Sequence, residues 1–205
     1  MSRVSRLFVL MVFALAVSTA AFGDQAYRTL DSRGAGDPDT VEVTEFFWYG
    51  CPHCHRFAPY IERWSADIPE DVEFRHMPAV FAPSWEIHGR AFYAAKAMDV
   101  LEQFHPAMFE ALHEQGRQLD SEEAIGEFVE ELGLDGDKFV ATMQSFAVDA
   151  NMRRARDLQE TYGIEGTPSV VIDGRFVTSG GMAGGFDRMI EVIDERVAAA
   201  RGGSN

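Results

Sequence analysis

VEVTEFFWYGCPHCHRF, residues 41–57, joins a run of β-branched and aromatic residues to the only two cysteines of the chain. Val41 to Trp48 has the composition of a strand buried on both faces. Pro52 stands where a helix would open, because the N–H it lacks would have no partner in a first turn anyway; that helix should run to about Ala66. VEFRHM, Val72 to Met77, reads as a second strand. The chain starts as a βαβ unit.

Outward from there the middle of the chain is helical, over roughly residues 84–162. In DSEEAIGEFVEEL, Asp120 with Glu123 resembles a capping box, and Ile125, Phe128, Val129 and Leu132 fall at the spacing of one helix face. Phe139, Val140, Met143 and Phe146 repeat that spacing. Gly116, Gly133 and Gly163 are expected helix stops. SVVI, Asp173-Gly174 and RFVT then make a tight hairpin, and Phe186, Met189, Ile190, Ile193 and Val197 mark a closing amphipathic helix. The expected class is α/β: βαβ, an inserted helical subdomain, then ββα. The expected divisions are 1–23, 24–83, 84–162 and 163–205, with residues 24–40 an extended lead-in.

The chain opens with two arginines, the apolar run Leu7 to Val17 and the small-residue segment STAAFG. That order is an export signal, read as cleaved after Gly23. The apolar run is too short for a permanent membrane span. Losing residues 1–23 removes Arg3 and Arg6 and takes the formal charge from −15 to −17. An excess of acid on that scale repels phosphate backbones and argues against nucleic acid as a partner. The one basic cluster, RRAR at 153–156, reads as a solvated helix face.

Taken as residues alone, Cys51 and Cys54 could be a staple, half of a metal site or a reagent. A disulfide over so short a loop adds little stability. A zinc site needs further ligands; His53, His55 and His76 are available, but no second C-x-x-C or H-x-x-x-H pattern exists. The reagent reading has local support. Cys51 precedes the first turn of a helix, where unpaired N–H groups and the helix dipole favour a negative charge. With His53 beside it, its pKa should fall below the usual value of about 8.5. Stabilising the thiolate makes the disulfide a stronger oxidant and makes Cys51 the better leaving thiol. Cys54, one turn further in, should be buried and act as the resolving thiol. Glu45 shares a strand face with Val41, Val43 and Phe47; it is either an edge residue with its head in water or a buried acid that tunes the pair or accepts the Cys54 proton.

Together, EFFWYGCPHCHRF, the helical block, GIEGTPSVVIDGRF and the last helix resemble the DsbA family of exported thiol-disulfide oxidoreductases, from about Val41 to Ala200. The resemblance implies a thioredoxin fold with a helical insertion. It implies that Cys51 is the nucleophilic, solvent-facing cysteine and Cys54 its buried partner. Pro52, His53 and the buried acid Glu45 would tune the pair. Pro168 would be the cis-proline against the disulfide, and Thr167 would offer backbone groups to a substrate strand. It further implies a periplasmic monomer that donates its disulfide to unfolded exported polypeptides, is reoxidised by a quinone-linked membrane protein of the DsbB type, and needs neither cofactor nor metal. An apolar groove for such partners would involve Pro78, Phe81 and the surroundings of Trp85. Thr before the cis-proline is shared with reductases and isomerases, where other DsbA-like proteins carry Val, so an exported reductase or isomerase is the nearest alternative. A metal carrier and a non-catalytic chaperone stand further off.

Overall fold

A computed structural model describes residues 26–31 and 40–202; the export signal read in residues 1–23 lies outside them. In chain order the elements are β1 (Arg28–Thr29), β2 (Val41–Phe47), α1 (Pro52–Ser65), β3 (Val72–Pro78), α2 (Pro83–Ala97), α3 (Leu101–His113), α4 (Glu122–Glu131), α5 (Gly136–Met143), α6 (Phe146–Thr161), β4 (Ser169–Ile172), β5 (Phe176–Ser179), α7 (Gly180–Ala183) and α8 (Phe186–Gly202). The strands form one sheet in the order β1-β5-β4-β2-β3. β2 and β3 are parallel, with α1 as their crossover, and the other neighbours are antiparallel. This is βαβ followed by ββα, the thioredoxin arrangement, with α2–α6 inserted between the halves.

β2 is an interior strand, between β4 and β3, because both of its faces can be buried, and all its residues but Glu42 are. One face carries Val41 and Val43 against Phe57 and Ile61 of α1, Val170 and Ile172 of β4, and Met189 and Ile193 of α8. The second apolar cluster joins Phe46, Phe47 and Tyr49 to Phe92, Phe104, Met108, Phe139 and Met152 of the insertion. Each fully buried Phe or Ile contributes about 1.5–3 kcal/mol by leaving water. That places the Cys-Pro-His-Cys turn, at the end of β2, where the two clusters meet; both cysteines belong to the second.

Local rules account for most boundaries. Gly116, Gly133 and Gly163 all have positive φ. At Gly163, φ is +55° just past the end of α6, a conformation that costs other residues their Cβ clearance. In the β4–β5 hairpin both Asp173 and Gly174 have positive φ, and the Arg175 N–H donates to the Ile172 carbonyl at 3.0 Å, as a two-residue turn requires.

Three expectations are corrected. The cap of α4 is Ser121, whose hydroxyl accepts from the Ala124 N–H at 3.1 Å; Asp120 lies one residue too early to close that ring. Phe146 is 80 % exposed, because α5 stops at Met143 and Ser145 caps a new helix, so the spacing from Phe139 does not carry across. The segment before Val41 contains β1, paired with β5. Two residues show no alternation; β1 is held instead by the Arg28 guanidinium donating to the Tyr162 and Gly163 carbonyls and by Tyr27 set edge-on to Phe176.

Candidate active site

Cys51 is the N-cap of α1, with extended backbone at φ −87° and ψ 114° and Pro52 following at the first helical position. Its N–H donates to the Trp48 carbonyl at 3.0 Å, and its own carbonyl accepts from the His55 N–H at 3.1 Å. The turn that delivers it is shaped by Gly50: a Cβ there would lie 2.4 Å from the Trp48 indole. Gly50 lets Trp48 fold back and stack on Trp85, with ring centroids 4.0 Å apart and planes 6° from parallel. The sequence reading missed that contact, whose two halves come from different elements.

The two sulfurs have opposite surroundings. Cys51 keeps 8 % of its surface exposed and Cys54 none, so an incoming thiolate can reach only Cys51. The Cys54 thiol, hydrogen-bonded to the Cys51 sulfur, is the main cause that lowers the Cys51 pKa to about 5. Burial opposes it, while the Thr167 side chain and the N–H groups of Cys54 and His53 act in the same direction. Burial pushes the Cys54 thiol far up, and the Cys51 hydrogen bond and the Glu45 charge push it further. In its thiol form Cys51 also donates to the Thr167 carbonyl at 3.4 Å.

His53 is exposed, and its Nδ1 accepts from the Arg56 guanidinium at 3.0 Å. What His53 supplies to Cys51 is its backbone N–H, which favours the thiolate. Glu45 is 3 % exposed, which excludes a head in water. His76 Nδ1–H donates to its Oε2 at 2.8 Å. The sequence reading had considered His76 only as a metal ligand. The signal that could have found it is register: two parallel strands that pair Val41 with Val72 pair Glu45 with His76.

The loop before β4 is brought beside Cys51 by pairing of Ser169 with Phe46. Its Thr167-Pro168 peptide bond is cis, Pro168 is buried and Thr167 half-buried. Next to it a groove of about 620 Å³ is bordered by His53, Arg56, Thr167, Pro168, Met182 and Phe186. Phe81, by contrast, stands 42 % exposed with its ring perpendicular to that of Trp85, and Pro78 is buried at the end of β3. Among the described residues no group of three or more His, Cys, Asp or Glu side chains could hold a metal ion, and no helix is long and apolar enough to cross a membrane.

Known proteins are similar to this chain in sequence and in fold. Residues 86–193 match the DSBA-like thioredoxin domain. The chain is 40 % identical over 164 residues to the thiol:disulfide interchange protein DsbA of Azotobacter vinelandii, covering 80 % of this chain and 77 % of that one. It is 38 % identical over 169 residues to the protein of the same name from Pseudomonas aeruginosa, covering 80 % of each. Its fold is similar to the crystal structure of Pseudomonas aeruginosa DsbA, with a TM-score of 0.80 at 36 % identity over 86 % of this chain and 95 % of that one. It is also similar to the oxidoreductase DsbA from Xylella fastidiosa, with a TM-score of 0.80 at 32 % identity over 86 % and 96 %.

Proposed function

The chain belongs to the DsbA family of thiol:disulfide interchange proteins, and from that premise we propose how its own residues carry out the oxidation and on which partners. It is a protein-disulfide oxidoreductase that works through its own cysteine pair. Cys51 is the sulfur attacked, Cys54 the resolving thiol, Glu45 and the first turn of α1 at Pro52 and His53 the tuning groups, and Thr167-Pro168 the edge that receives the substrate strand. The substrates are unfolded polypeptides reaching the periplasm, where the export signal would deliver the protein. A membrane reoxidase of the DsbB type renews the disulfide.

The steps balance. A substrate thiolate attacks Cys51 of the Cys51-Cys54 disulfide; the bond to Cys54 breaks, and Cys54 takes up a proton because its thiol form is strongly favoured. A second substrate thiolate then attacks the substrate sulfur of the mixed disulfide, forming the substrate disulfide and expelling Cys51 as a thiolate. Two electrons pass from substrate to enzyme. The last step is easy because thiols of low pKa are good leaving groups.

The observation that carries the direction of transfer is the asymmetry of the pair, with Cys51 lowered to about 5 and Cys54 raised. Two units below pH 7, at about 1.4 kcal/mol or about 30 mV each, make the disulfide roughly 60 mV more oxidising than a pair with an unperturbed thiol. The test is the redox equilibrium of the pair against glutathione buffers at pH 7. Thioredoxin lies near about −270 mV and DsbA near about −120 mV; the second figure belongs to the family. A potential towards the upper value is expected, and one near the lower would make this an exported reductase.

A further inference from the structure

Reoxidation requires a buried thiol to lose its proton. When Cys51 is held in a mixed disulfide, the Cys54 thiolate must attack the Cys51 sulfur, yet Cys54 has no exposed surface and water cannot collect its proton directly. Glu45, itself buried and close enough for its charge to act on Cys54, is a proton acceptor with no exit of its own. Its exit is visible in the sheet. β3 is an edge strand, His76 on it is the register partner of Glu45, and the His76 ring reaches from the Glu45 carboxylate, at 2.8 Å, to a side-chain exposure of 18 %.

We propose that His76 is a positioning residue that passes the Cys54 proton from Glu45 to solvent, so that the resolving step depends on the charge of an imidazole. This rests on the dithiol reading of the site given above. The Cys54 S–H proton moves to the Glu45 carboxylate; the carboxyl so formed gives it to Nδ1 of a His76 ring that carries its own hydrogen on Nε2, and the Nε2–H proton leaves to water. The Cys54 thiolate forms the bond to Cys51, and the partner sulfur leaves as a thiolate. In substrate oxidation the same route runs backward and supplies the proton that Cys54 gains. Histidine as a class changes charge between about pH 5 and 8, and a protonated His76 has no free nitrogen to accept with.

The groups facing His76 are few. Glu45 faces it from β2 and His105 from α3, with ring centroids 4.5 Å apart; Phe47 and Phe74 meet it edge-on. Arg75, its chain neighbour, is engaged with Glu42 and Glu73. Burial holds the His105 imidazole well below its usual range, and its Nδ1 is taken by the Tyr49 hydroxyl at 2.8 Å. His105 therefore stays neutral.

The experiment follows reduced full-length mature protein reacting with oxidised glutathione in a stopped-flow instrument from pH 5 to 9. The second-order phase reports Cys51 attack and the concentration-independent phase reports resolution by Cys54. In the wild type the resolution rate should rise through an inflection between about pH 5 and 8. In His76→Gln it should fall tenfold or more and lose the inflection, while the Cys51 phase changes less than twofold. His76→Lys, whose ammonium stays protonated over this pH range and so has no lone pair to accept with, should also lose it. A wild-type profile without the inflection, or an inflection that survives either substitution, overturns the proposal; the wild-type profile decides even if a variant does not fold. Failure of the wild-type protein to form the Cys51-Cys54 disulfide at all would instead refute the dithiol reading.

Discussion

The Cys51 sulfur lies 3.4 Å from the Thr167 carbonyl oxygen although 116 positions separate them in the chain. The N-terminus of α1 and the loop before β4 thus converge on one atom, which the pairing of β4 with β2 makes possible. On the function proposed above, a strand laid along residues 166–168 would bring its own cysteine to that atom, and recognition and chemistry would share the same few ångströms.

Thr167→Val should weaken the oxidant. It keeps the backbone carbonyl and the β-branch but removes the hydroxyl that favours the thiolate. One hydrogen bond is worth about 1 kcal/mol, so the Cys51 pKa should rise by somewhat less than one unit and the potential fall by roughly 20 mV. Thiolate absorbance against pH and a glutathione titration measure both.

Reduced and oxidised protein should respond differently to acid. Cys51 has a folded pKa of about 5, below its value in an unfolded chain, near about 8.5. Its stabilisation of the reduced state is complete above the unfolded value and is lost as pH falls through the folded one. At pH 7 it amounts to about 2.7 kcal/mol, and at pH 4 to almost nothing. The disulfide form has no such thiolate. The difference in unfolding free energy between the two forms, measured in denaturant, should therefore shift by about 2.7 kcal/mol between pH 7 and pH 4, in favour of the reduced form at the higher pH.

What could be read from the sequence was what neighbours in the chain determine. The buried strand at Val41, the helix opened by Pro52 and the role of Cys51 as its N-cap depend on a few consecutive residues. The contacts of Glu45 with His76, Cys51 with Thr167, and Trp48 with Trp85 depend on register and on the placing of separate elements, and no local pattern announces them. Single-residue shifts were also out of reach: Asp120 and Ser121 are both good caps, and only the observed backbone, extended at Ser121, chooses between them.

Gly50→Ala should disturb the site without touching a sulfur. The added Cβ would lie 2.4 Å from the Trp48 indole, and the ring must leave its stack on Trp85. Overpacking of this kind costs about 1–3 kcal/mol. A lower unfolding midpoint is expected, together with a changed near-ultraviolet dichroism from the separated indoles. An unchanged aromatic spectrum would mean that the turn yields instead of the stack.

Replacing the cysteines one at a time separates their roles. Cys54→Ser keeps the low-exposure nucleophile but leaves nothing to resolve it, so mixed disulfides with substrate should accumulate at Cys51 and be visible as adducts by mass spectrometry. Its Cys51 pKa should also rise, because the Cys54 thiol is the main cause of the lowering; a serine hydroxyl restores part of that hydrogen bond, so the rise should be partial. Cys51→Ser should form no adduct, because the remaining thiol is buried with no exposed surface and held protonated. Both variants should lose all net oxidation of a reduced, unfolded substrate. If Cys51→Ser still promoted folding of such a substrate as well as the wild type does, binding and not thiol exchange would be the protein's contribution, and the chaperone alternative would take its place.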